Sequence, residues 1–213
     1  MASRIIHLAI TGELLKQYEF QNADRLRFGV IIPDGAANRS EQASSHFKIR
    51  IGSGEERTYD LTGYRNMFHK KMETDDLYLG YYLHLIQDLL YRRFVYGKYH
   101  WDPKPEGNLE RLYDDYRQIN ARLIDKYEMR NNISVPVNFE AERLNEAAIF
   151  DTAKFMKELS KDFEPVEYKE RFFFTNCMVD EYIQWAVEYC KKELQSFRDG
   201  QYYFDEYEWS WGK

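Results

Sequence analysis

His84 and Asp88 stand four residues apart in the segment YLGYYLHLIQDLLYRRF. On a helix that spacing puts an imidazole and a carboxylate on one face, roughly 6 Å from each other, within joint reach of one cation. Leu83, Leu85, Ile86, Leu89 and Leu90 surround the pair. The segment therefore reads as buried, where an ionised carboxylate is costly unless it is paired or coordinated. Gly80 lies one turn earlier on the same face. It removes a side chain where a ligand or another backbone could approach, at a cost of about 1 kcal/mol relative to alanine. The stripe Gly80, His84, Asp88 reads as a cleft with a metal site in it.

The chain has five histidines, and His7 and His46 also lie beside apolar residues. Taken singly, each reads as a hydrogen-bonded core residue. Together with His84, Asp34 and Asp88 they make an all nitrogen and oxygen ligand set of the kind used by hydrolytic zinc or a similar divalent ion. Asp34 sits on a turn stiffened by Pro33 and bounded by Gly35. Glu110, Asp114 and Asp115 belong to the charge-rich stretch NLERLYDDY. A helix of that composition exposes most of its carboxylates, and Asp115 is retained as a candidate ligand. His69 and His100 read as surface or loop residues. Cys177 and Cys190 fall in one expected helix about 20 Å apart, too far for a disulfide. They read as reduced core thiols, and neither has the spacing of a Cys-based zinc site.

Periodicity and capping residues place the elements that must position these groups. Helices are expected over Ser3 to Gln17, Ala23 to Ile31, Leu61 to Lys71, Asp75 to Tyr96, Asn108 to Glu128, Asp151 to Lys161 and Thr175 to Arg198. HFKIRI and ERTYDL flank Gly52-Ser53-Gly54 and predict a small hairpin near residues 46–60, with His46 at its entrance. The fold class is therefore all-α, a multi-helix bundle with one β-hairpin. No Pro/Gly/Ser-rich linker divides the 213 residues, so residues 1–213 read as one domain.

A balance of 30 Lys and Arg against 36 Asp and Glu, net charge -6, offers no footprint for a nucleic-acid backbone. Arg4, His7, Glu13 and Lys16 interrupt the apolar N-terminal stretch. That argues against a signal peptide or transmembrane segment and implies a cytoplasmic protein. The tail QYYFDEYEWSWGK has no clear period. Its rings either fold back on the bundle, the favoured reading, or form a homo-oligomer contact.

HLAI around His7, IIPD ending at Asp34, SHF containing His46 and YYLHLIQD containing His84 and Asp88 occur in the order of the zinc-dependent phospholipase C family, which the chain resembles over roughly residues 1 to 95. The resemblance implies the phospholipase C / single-strand nuclease fold and zinc-dependent hydrolysis of a phosphoester or phospholipid headgroup. It also implies that His46, His84, Asp88 and Asp34 ligate a central metal, that His7 belongs to an adjacent site, and that Asp34 serves as the catalytic group beside attacking water. The trizinc members carry a further histidine where this chain has Phe94, and a later His-x-x-x-Glu that is missing here. One or two ions are therefore expected, with the third position dismantled or rebuilt around carboxylates such as Asp115. The rival readings are a noncatalytic metal-binding or ligand-binding module and a purely structural helical protein.

Overall fold

The computed structural model describes residues 1–54 and 56–212. Its α-helices are α1 (Arg4–Leu15), α2 (Ala23–Gly29), α3 (Arg39–Ser45), α4 (Leu61–Met72), α5 (Asp76–Arg92), α6 (Asn108–Lys126), α7 (Thr152–Lys161) and α8 (Asn176–Arg198). The strands β1 (Lys48–Ile51) and β2 (Glu56–Tyr59) pair antiparallel, with Lys48 opposite Tyr59. The architecture is mainly helical, with this one small sheet among the described residues. No helix in the described residues is long and apolar enough to cross a membrane.

Helix starts follow their side-chain caps. Ser3, Asn22, Asn38, Asp60, Asp75, Asp151 and Thr175 each accept a backbone N–H of the first turn, satisfying donors that have no partner inside the helix. α5 is the axis of the molecule. Its residues from Asp76 to Tyr91 are all buried, because α2, α4, α8 and β2 pack around it. A helix apolar on every side can be stable in water only when it is enclosed in this way.

Gly80 is explained by that enclosure, and the cleft expected at this glycine is corrected. A Cβ built on Gly80 would lie 2.4 Å from the Leu26 carbonyl oxygen, and one on Gly29 would lie 2.2 Å from the Leu77 carbonyl oxygen. The two glycines let α2 and α5 cross backbone to backbone. The space is filled by protein, and the crossing brings the segment after α2 down onto the His84 face.

Past α5 the backbone widens into a π turn over Arg93–Lys98, where an α-helix to Tyr96 is expected. Phe94, at the position of the family histidine, packs instead against Tyr182 and Trp185 with ring centroids 5.4 and 5.9 Å away. The tail folds back. Phe204 is buried, the Tyr203 and Phe204 N–H groups donate to Glu193, and Trp211 exchanges two 2.9 Å backbone hydrogen bonds with Arg57 of β2. Tyr203 and Tyr207 remain exposed. Cys190 is buried as expected, but Cys177 is exposed, in the first turn of α8.

Candidate metal centre

Four pieces of chain deliver the candidate ligands. α1 carries His7 and α5 carries His84 and Asp88. Asp34 lies on a 3-10 turn, Ile32–Gly35, that follows α2 directly. His46 is the C-terminal cap residue of α3, and the Ser45 hydroxyl donates to the Pro33 carbonyl at 2.8 Å, pinning the end of α3 to the Asp34 turn. The far side of that turn is held to the segment before α7 by the Asp151 N–H, which donates to the Gly35 carbonyl at 3.0 Å.

His7, Asp34, His46, His84 and Asp88 converge, and their ligand atoms form two overlapping groups: His7 with Asp34 and His84, and His46 with His84 and Asp88. The Nε2 atoms of His46 and His84 are 3.1 Å apart. Asp88 Oδ2 lies 3.7 Å from His46 Nε2 and 3.8 Å from His84 Nε2, and Asp34 Oδ1 lies 3.4 Å from His46 Nε2. On the other side His7 stacks on His84 at 4.2 Å between ring centroids, with its Nε2 3.5 Å from Asp88 Oδ1. His7, His84 and Asp88 are wholly buried, and Asp34 is the only one of the five with appreciable exposure, 12 % of its side chain.

Each imidazole is oriented from behind. His84 Nδ1 donates to the Val30 carbonyl at 2.8 Å, His46 Nδ1 to the Gln42 carbonyl at 2.9 Å, and His7 Nδ1 to Gln87 Oε1 at 2.7 Å. A carbonyl can only accept, so Nδ1 of each ring carries a proton, and wherever a ring is neutral its Nε2 lone pair faces inward. This is the arrangement found behind metal-ligating histidines. Two lone pairs 3.1 Å apart repel unless a cation lies among them. His7 Nε2 is also buried with no hydrogen-bond partner, and buried polar atoms without partners are rare.

Burial opposes charge on His7, but the Asp88 carboxylate outweighs it and raises the His7 pKa. Burial, followed by the positive field of His7, pushes the His84 pKa down to about 3, so the ring keeps its lone pair at neutral pH. Burial raises the Asp34 pKa, but the close imidazoles of His46 and His84 outweigh it and hold the group near 2. Burial likewise opposes ionisation of Asp88, but the field of the close His7 imidazole and its neighbours carries it well below the ordinary carboxylate range. Asp88 further accepts the Ala2 N–H at 3.0 Å and the Tyr59 hydroxyl at 3.4 Å. The donor set is three imidazole nitrogens and two ionised carboxylates, which fits zinc or a similar divalent ion.

Asp115 is corrected. It lies outside both ligand groups, and its oxygens accept the backbone N–H groups of Phe172, Phe173 and Phe174 at 2.7, 2.7 and 2.8 Å. The buried carboxylate stitches α6 to the segment before α8. Asp115→Asn, which turns one acceptor into a donor facing N–H groups, is expected to cost about 1–3 kcal/mol in urea unfolding while leaving metal content unchanged.

Several groups around the centre escape a reading of the sequence. Tyr59 reaches Asp88 from β2, and Gln87 and the Val30 and Gln42 carbonyls orient the imidazoles from positions without a motif. Arg92 could have been found, because it extends the stripe of His84 and Asp88 by one more turn. The chain matches no known family model, no curated protein and no solved structure.

Proposed function

We propose that this chain is a metal-dependent phosphoester hydrolase, with His46, His84, Asp88 and Asp34 holding a divalent ion and His7 serving an adjacent position. The observation that carries the reading is the pair of inward-facing His46 and His84 Nε2 atoms 3.1 Å apart, flanked by two carboxylates in a buried site. The residue order resembles that of the zinc-dependent phospholipase C family, and the mostly helical architecture is compatible with that resemblance. A zinc ion bound in such a site would supply Lewis acidity, lowering the pKa of water toward about 7 and offsetting charge on phosphoryl oxygens. The protein's own part is orientation and proton handling. The Val30 and Gln42 carbonyls keep the imidazoles in the ligating tautomer. Asp34, ionised and partly exposed, is placed to orient a water arriving from outside and to accept its proton.

A second reading, a noncatalytic metal centre, is favoured by the complete burial of His7, His84 and Asp88. Elemental analysis of protein purified without added zinc, followed by assays on a phosphodiester, a phosphomonoester and a choline phospholipid, separates the two. The hydrolase reading expects stoichiometric metal and turnover that a chelator abolishes and zinc restores. Metal without turnover supports the noncatalytic centre. Absence of metal, with stability unchanged by chelator, removes both.

A further inference from the structure

One turn beyond Asp88, α5 opens onto a cleft of about 780 Å³ lined by Arg57, Arg92, Arg93, Lys104, Trp101 and Trp211, among others. Four cations gather here in a chain whose net charge is -6. None of them takes part in an ion pair among the described residues, whereas Lys98 nearby pairs with Glu181. The carboxylate on the lining is Asp102, whose Oδ1 accepts the Lys104 backbone N–H at 3.0 Å.

Two further donors lack acceptors. Arg92 Nε and Trp101 Nε1 are buried without a hydrogen-bond partner among the described residues, and both side chains line this cleft. The Arg92 guanidinium is fixed between the Tyr96 and Trp211 rings at 5.0 and 5.3 Å. That orders its fork before any ligand arrives and lowers the entropy cost of a bidentate contact. The π turn that follows α5 sets Arg93 and Gly97 along the same wall. Unpaired guanidinium and ammonium groups beside orphaned N–H donors match the oxygens of a phosphate.

We propose that this cleft binds a small phosphorylated ligand of net negative charge and discriminates against a zwitterionic choline headgroup. Binding in the cleft stands without the metal; only the further step, in which the ligand presents an ester to the His and Asp cluster, rests on the hydrolase reading. The test is calorimetric titration of the full chain with inorganic pyrophosphate in EDTA, with phosphocholine in parallel. Saturable pyrophosphate binding is expected, weakened at least about tenfold by Arg93→Ala combined with Lys104→Ala and weakened by added salt. Both residues are exposed, so an unchanged melting temperature shows that the fold is retained. Trp101→Phe, which keeps a ring but removes the indole N–H, is expected to weaken binding less. Phosphocholine is expected to bind at least about tenfold more weakly than pyrophosphate. Absence of binding, equal affinity for phosphocholine, or wild-type affinity in the double variant would overturn the proposal. Binding lost in EDTA also overturns it, by tracing the ligand to the metal and leaving the hydrolase reading intact.

Discussion

Asp88→Asn is expected to reduce zinc affinity by at least about 100-fold and to abolish metal-dependent hydrolysis. Loss of groups that merely support ligands costs 10–100-fold in affinity, and Asp88 stands closer than that, facing His7, His46 and His84 at 3.5, 3.7 and 3.8 Å. The amide removes a negative charge from the site, so the attraction for a divalent ion falls in surroundings where charge is poorly screened. The variant is also expected to fold. Its carboxamide oxygen can accept the Ala2 N–H that Oδ1 accepts at 3.0 Å, and its NH₂ can donate to an imidazole Nε2. Metal analysis after dialysis, with a urea unfolding curve in chelator, checks both halves. Wild-type zinc content in a folded Asp88→Asn protein would take Asp88 out of the site.

Gly80→Ala is expected to destabilise the chain by about 3 kcal/mol or more, at the upper end of what overpacking costs. In a domain of this size that lowers the melting temperature by roughly 6–12 °C. The atoms met at 2.4 and 3.0 Å are the Leu26 carbonyl oxygen and the Val30 nitrogen, so no side chain can swing away and α2 itself must move. Val30 also supplies the carbonyl that orients His84, and Asp34 follows on the same segment. Metal affinity should therefore drop together with stability. Gly12→Ala is the control. Nothing lies within 4 Å of a Cβ there, and in the middle of α1 the change is expected to add up to about 1 kcal/mol. Melting curves of the two variants, side by side, give the comparison.

How much of this was legible in the sequence follows from what each feature depends on. The helices with an apolar period or a cap were read within a few residues of their ends, and so was the hairpin. α3 was not, because RSEQASS has no apolar face and only Asn38 marks its start. The π turn leaves no periodic trace. His84 and Asp88 were legible as a pair because both lie on one helix. The place of His7, Asp34 and His46 beside them came from residue order, since contacts between separate elements have no local pattern. Asp115 was misread for the same reason: its partners begin 57 residues further on. Gly80 was read correctly as a close approach, but the sequence does not say whether ligand or backbone arrives.

Gly80, His84, Asp88 and Arg92 recur every four residues along α5, a stripe that drifts by about 40° per step, so crossing, ligation and anion capture all depend on one helical register. One residue inserted between His84 and Asp88 would swing the far half of α5 by about 100°. That would carry the carboxylate and the guanidinium away from their neighbours in one stroke. Insertions along this axle are therefore intolerable, whatever the side chain inserted.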